Sequence, residues 1–153
     1  MQYDVHLEQF PGKPLAVVKR QANSRQQVGA IIQKACGDVW NVVKSQRIAG
    51  AGRHVTVYLD QNFNLEIGVE LETPFGGFGD VIGSSLPAGN VATTTHFGPY
   101  PLLTNAHQAI QQWCAAQKIE LAGPCWEIYG HWLDEWNHDP SKIRTDIYYP
   151  VKN

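Results

Sequence analysis

Two strand-like segments near the C-terminus place an acid beside rings. One reads Cys125-Trp126-Glu127-Ile128-Tyr129, the other Thr145-Asp146-Ile147-Tyr148-Tyr149-Pro150. Alternation along a strand sends Cys125, Glu127 and Tyr129 to one face and Trp126 and Ile128 to the other. Carboxylates are rarely buried without a partner. One use for such an acid is to hold a planar cation: rings supply stacking and cation–π contact, and the carboxylate neutralises the charge. Another is acid–base work. A carboxyl desolvated among rings can protonate a leaving group or activate a water, and a tyrosine hydroxyl can steady a developing oxyanion. Glu127 and Tyr129 are the pair placed for such acid–base work. A structural ion pair is a third use for Glu127, and the residue pattern leaves all three open.

Other constellations carry less. His131, Asp134, Glu135, His138 and Asp139 fall within GHWLDEWNHDP, but the H-x6-H spacing matches neither the zincin helix nor a short finger pair. A solvated loop is expected there, with no metal and no cofactor. Trp132 and Trp136 of that loop could fold over a site as a lid. Cys125 shares the face of Glu127, yet no histidine is evidently near it, so a Cys–His nucleophile is not expected. His96 precedes Gly98-Pro99 and suits either a pocket rim or a turn.

Composition narrows the classes. Net charge is 12 − 14 = −2 over 153 residues, with no basic run, so direct nucleic-acid binding is not expected. The start, MQYDVHLEQF, has no signal-peptide character, and no apolar run approaches a membrane span. Three widely spaced cysteines suit buried thiols in a reducing compartment, and a cytoplasmic protein is expected. The Gly/Pro/Ser-rich stretch from Thr73 to Asn90 lacks the Gly-Lys-Ser/Thr of a phosphate loop.

The elements that must position these residues repeat. Pro14–Gln21 reads as a strand and Arg25–Ser45 as a helix, with Val28, Ile31, Ile32, Ala35, Val39, Val42 and Val43 on one stripe. His54–Asp60 and Leu65–Glu72 follow as alternating strands. After a linker with a short strand around Val81 and Ile82, the order recurs. Val91–Phe97 is a strand, and Pro101–Gln117 is a helix with Leu102, Leu103, Ala106, Ala109, Ile110, Trp113 and Cys114 as its buried stripe. CWEIYGHW and Thr145–Val151 complete it. The expected fold is therefore α+β: two tandem β-α-β-β halves, about 1–73 and 91–153, joined by a linker of about 74–90. Such halves pair about a pseudo-twofold axis and leave a central crevice for a ligand. With helices on the apolar Trp126/Ile128 side, Glu127 and Tyr129 would face that crevice. By the same symmetry Asp146, Tyr148 and Tyr58, the echo of Tyr129, would face it too.

HFGPY (His96–Tyr100), GPCWEIY (Gly123–Tyr129) and TDIYYPV (Thr145–Val151), in that order and over this duplicated layout, resemble the GyrI-like small-molecule-binding family. That family includes the effector-binding domains of multidrug-responsive transcription activators, and the resemblance covers essentially the whole chain. It implies a pocket for flat, often cationic aromatic compounds, with the Glu of an E-x-Y strand at its floor, here Glu127-Ile128-Tyr129. The candidate ligand-binding residues are then Glu127, Tyr129, Tyr58, Tyr148, Asp146, Trp132, His96 and Tyr100. The closing strand usually reads T-E-x-x-x-P, and this chain has Asp146 in place of that Glu. Family regulators carry a DNA-binding domain ahead of this one, so the chain is expected to act as a stand-alone module. Relatives that hydrolyse cyclopropane-bearing genotoxins, or that bind DNA gyrase, supply the alternative functions.

Overall fold

The apolar stripe of Arg25–Ser45 and the alternation of the strands around it are realised as drawn. The computed structural model describes residues 3–153. In chain order the strands are β1 (His6–Phe10), β2 (Lys13–Gln21), β3 (His54–Tyr58), β4 (Asn64–Glu70), β5 (Ile82–Leu86), β6 (Gly89–Phe97), β7 (Cys125–Tyr129) and β8 (Arg144–Pro150). Helix α1 (Arg25–Ser45) lies between β2 and β3, and α2 (Leu103–Ala116) between β6 and β7. The protein is mixed α+β, with the β-α-β-β order written twice.

Residues 11–88 form one unit. Its strands run in the order β3-β4-β2-β5, all neighbours antiparallel. Helix α1 buries Ala35, Val39 and Val43 against Ala16 and Val18 of β2 and Leu65, Ile67 and Val69 of β4. Removing such side chains from water is the main favourable term in forming the unit. Gly68 is required by close approach, because a Cβ there would sit 1.8 Å from the Ala16 carbonyl oxygen.

The second unit joins residues 89–153 to residues 3–10. Its order is β1-β6-β8-β7, again antiparallel throughout. Leu103, Ala106, Ile110 and Cys114 of α2 pack on Ala92, Ile147, Tyr149 and Val151. The helix begins later than expected: Tyr100–Leu102 is a 3-10 turn, and Pro101 sits in it.

Two boundaries differ from the sequence reading. The expected linker of 74–90 contains β5, which pairs with β2 from Lys13 to Val17 and so belongs to the first unit. The strand β1 was not anticipated. Its residues are exposed except for Phe10, so it carries no alternation to read. Each repeat is thus widened by a strand from outside it, β5 beside β2 and β1 beside β6.

A buried acid, imidazole and tyrosine cluster

Strand register fixes which side chains share a face. Across the β7–β8 ladder Trp126 stands opposite Tyr148, Glu127 opposite Ile147, Ile128 opposite Asp146 and Tyr129 opposite Thr145. Directly paired residues point to the same side. Ile147 lies under α2, and so do Cys125 and Tyr129. Glu127 and Tyr129 therefore face the helix, the reverse of the expected orientation. Trp126 and Ile128 face away from it.

The reason lies in both faces. The outer face is filled by rings: Trp126 stacks on Tyr148 at 5.7 Å between centroids, and Phe10 closes on both at 5.2 and 5.3 Å. The helix face carries polar partners for the acid. His107, four residues after Leu103 in the α2 stripe, brings its Nε2 to 2.5 Å from Glu127 Oε2. Tyr129 donates its hydroxyl to Glu127 Oε1 at 2.7 Å. The carboxylate is 2% exposed and has a partner on each oxygen.

The cluster continues behind the imidazole. His107 Nδ1 lies 2.7 Å from the Tyr149 hydroxyl, which also accepts from Gln111 Nε2 at 3.2 Å. Cys125 neighbours both His107 and Tyr149. Burial by itself disfavours the charged imidazole, but Cys125 and Glu127 outweigh it, and the His107 pKa is raised to about 9. His107 is thus an imidazolium at neutral pH, donating from both nitrogens. Burial, with Cys125 and Glu127 adding to it, pushes the Tyr149 phenol well above its usual range, so that hydroxyl keeps its proton.

The expected site residues divide accordingly. Glu127, Tyr129 and Tyr100 come together, with the Tyr100 and Tyr129 rings edge to face at 5.7 Å. Asp146 and Tyr148 share a face with each other, as read, but it is the outer face and not that of Glu127. There Asp146 accepts from Thr95 at 2.7 Å and pairs with Arg144 at 3.2 Å. Tyr58 belongs to the other unit and packs on the α1 core. His96 is fully buried, 2.8 Å from the Tyr3 hydroxyl and 3.2 Å from the Pro99 carbonyl oxygen, so it ties the turn at Gly98. Trp132 is half exposed, packs edge to face on the buried Trp136 at 5.3 Å, and donates to Asn137. An open depression of about 360 Å³ lined by Phe97, Leu133, Trp136 and Arg144 does not include Glu127.

His107 is the residue that the sequence reading missed, and it corrects the expectation that no histidine lies near Cys125. Its signal was a polar side chain at a stripe position of an otherwise apolar helix face. Among the described residues no group of three or more His, Cys, Asp or Glu is placed to hold a metal ion, and no helix is long and apolar enough to cross a membrane.

Residues 3–152 match the model of the GyrI-like small molecule binding domain. The C-terminal domain of EcmrR is 25% identical, with a TM-score of 0.80 covering all of this chain and 99% of that one. In the EcmrR–DNA complex the chain spans 58% of the EcmrR chain, at 23% identity and a TM-score of 0.81. SAV2435, solved bound to tetraphenylphosphonium, is 16% identical with a TM-score of 0.69, covering all of this chain and 95% of that one. A hydrolase from Listeria innocua is 13% identical with a TM-score of 0.58, covering 97% and 91%. Comparison with curated protein sequences finds no match.

Proposed function

From the premise that this chain belongs to the GyrI-like small molecule binding domain family, we propose that it binds planar, hydrophobic organic cations at Glu127 and the rings of Tyr129 and Tyr100. The observation that carries this reading is the buried Glu127 carboxylate set beneath a tyrosine that is itself edge-packed by a second tyrosine. A carboxylate in such surroundings attracts a cation far more strongly than one in water, and ring faces add cation–π contact. The ligand of SAV2435, tetraphenylphosphonium, is likewise a hydrophobic aromatic cation, with flat phenyl rings around a tetrahedral phosphorus. Titration with tetraphenylphosphonium, read by tryptophan fluorescence or calorimetry, tests it. Saturable binding that weakens tenfold or more in Glu127→Gln is expected, and absence of saturable binding by the wild type overturns the reading.

A second reading, hydrolysis of a strained electrophile, is favoured by the acid–imidazole–phenol chain of Glu127, His107 and Tyr149. As water adds to the ring carbon and the strained carbon–carbon bond breaks, such a chain can protonate the carbonyl oxygen on which charge develops while the carboxylate takes the proton of the attacking water. Product analysis after incubating a cyclopropane-bearing alkylator with wild type and Glu127→Gln separates the two. Unchanged alkylator in both samples removes the hydrolase.

A further inference from the structure

Glu127 already has a cation beside it, and this bears on how a second one could bind. Its Oε1 is taken by the Tyr129 hydroxyl and its Oε2 by His107 Nε2. A ligand cation drawn to the same carboxylate would put two positive charges beside one negative charge, with little water between them. We propose that His107 is the resident counter-ion of Glu127, and that a cationic ligand takes over this role while His107 releases one proton, so the site exchanges a proton for an organic cation. The inference rests on the binding reading above.

The hydrogen bonds of the imidazole to Glu127 and Tyr149 survive the exchange. In the charged form Nε2–H donates to Glu127 and Nδ1–H to the Tyr149 oxygen. Removing the Nδ1 proton leaves the Nε2–H tautomer, which keeps its bond to Glu127. Tyr149 then turns its own O–H toward Nδ1, while Gln111 continues to donate to the Tyr149 oxygen. The proton goes to solvent, which the His107 side chain reaches with 16% of its surface. The titratable groups facing the imidazole are Cys125 and Glu127 of β7 and Tyr149 of β8, with Tyr129 sharing the carboxylate. The Tyr149 phenol stays protonated and can act as donor or acceptor. His107 is also raised to about 9, so its proton is present at neutral pH to be released.

The consequence is a selectivity set by pH. Affinity for a permanently charged cation rises about tenfold per pH unit where one proton leaves on binding, and levels off above about 9. A neutral ligand of the same shape gains nothing. The test is calorimetry of tetraphenylphosphonium binding at pH 7 in phosphate and in Tris, whose ionisation heats differ, with triphenylphosphine oxide as the neutral probe. Close to one proton released per phosphonium, and none per phosphine oxide, is expected. Phosphonium binding with no proton release overturns the exchange and leaves the binding reading standing, whereas no phosphonium binding overturns the binding reading itself. His107→Gln keeps donors but cannot titrate, and is expected to bind the phosphonium with no pH slope. Should that variant not fold, the wild-type imidazole followed by NMR decides: its titration midpoint falls when the phosphonium saturates the site, and an unmoved midpoint overturns the proposal.

Discussion

His107 and Glu127 sit on different elements and meet across the interior of one unit, with 2.5 Å between Nε2 and Oε2. The contact ties α2 to β7 beside the apolar packing of Leu103, Ala106 and Ile110 on Ile147. Breaking such a pair from one side leaves a charge with no compensation.

Stability should therefore depend on pH through His107. Its folded-state pKa, about 9, lies above the ordinary 6.5, so the ion pair contributes fully below about pH 6.5 and its contribution is lost as pH rises through about 9. The loss expected is roughly 1–3 kcal/mol. Thermal melts of wild type and His107→Gln, taken between pH 6 and 10, check it. The difference between the two should shrink with rising pH, and a constant difference contradicts the pairing.

Tyr129→Phe removes the hydroxyl that donates to Glu127 Oε1 and leaves the ring against Tyr100. A hydrogen bond to a charged acceptor supports a loss of about 1.5–3 kcal/mol in urea denaturation. Tyr129→Leu should lose more, because the edge-to-face ring pair goes as well.

The two faces of β7 should respond differently to substitution. Trp126→Ala empties a buried site between Phe10 and Tyr148 and should destabilise the protein by about 3–5 kcal/mol. Trp132→Ala, half exposed in its loop, loses only its edge-to-face contact with Trp136 and its bond to Asn137, and should cost about 0.5–1.5 kcal/mol. Equal losses in denaturant titrations would contradict the burial assigned here.

In the other unit Glu70 accepts from Arg53 at three atoms: the backbone N–H at 3.0 Å and two guanidinium nitrogens at 3.1 Å. Burial alone would raise this carboxyl, but the Arg53 contacts more than offset that and hold it below its ordinary value. Stability from this pair is present above the ordinary carboxylate pKa and is lost as pH falls through the lower folded one. Arg53→Ala should remove about 2 kcal/mol at pH 7 and less at pH 3, in guanidinium titrations at both values.

The duplicated order was legible because each repeat carries its own periodicities, a 3.6 stripe in α1 and alternation in β3 and β4. The identity of Glu127 and Tyr129 as face partners was legible for the same reason. Which face was not. An apolar side was assigned to the helix because helix stripes are usually apolar, and here α2 brings His107 to Glu127 of β7 and Gln111 to Tyr149 of β8. The ring cluster of Phe10, Trp126 and Tyr148 depends on β1, whose exposed residues hold no pattern and whose partner β6 is some 80 positions away in sequence. Cross-strand register, which alternation cannot supply, separated Asp146 and Tyr148 from Glu127.

Because β1 pairs with β6 and not with the repeat that follows it, the unit bearing Glu127 is built from segments on both sides of the stretch 11–88. During synthesis the stretch 11–88 has all of its strands before β6 is made, whereas β1 has to wait for a partner that emerges later. The interior of the cluster is completed last, when β8 delivers Tyr149 beneath His107. Ribosomes stalled a few residues short of Tyr149 should accordingly carry a folded first unit and an incomplete Glu127–His107–Tyr149 cluster.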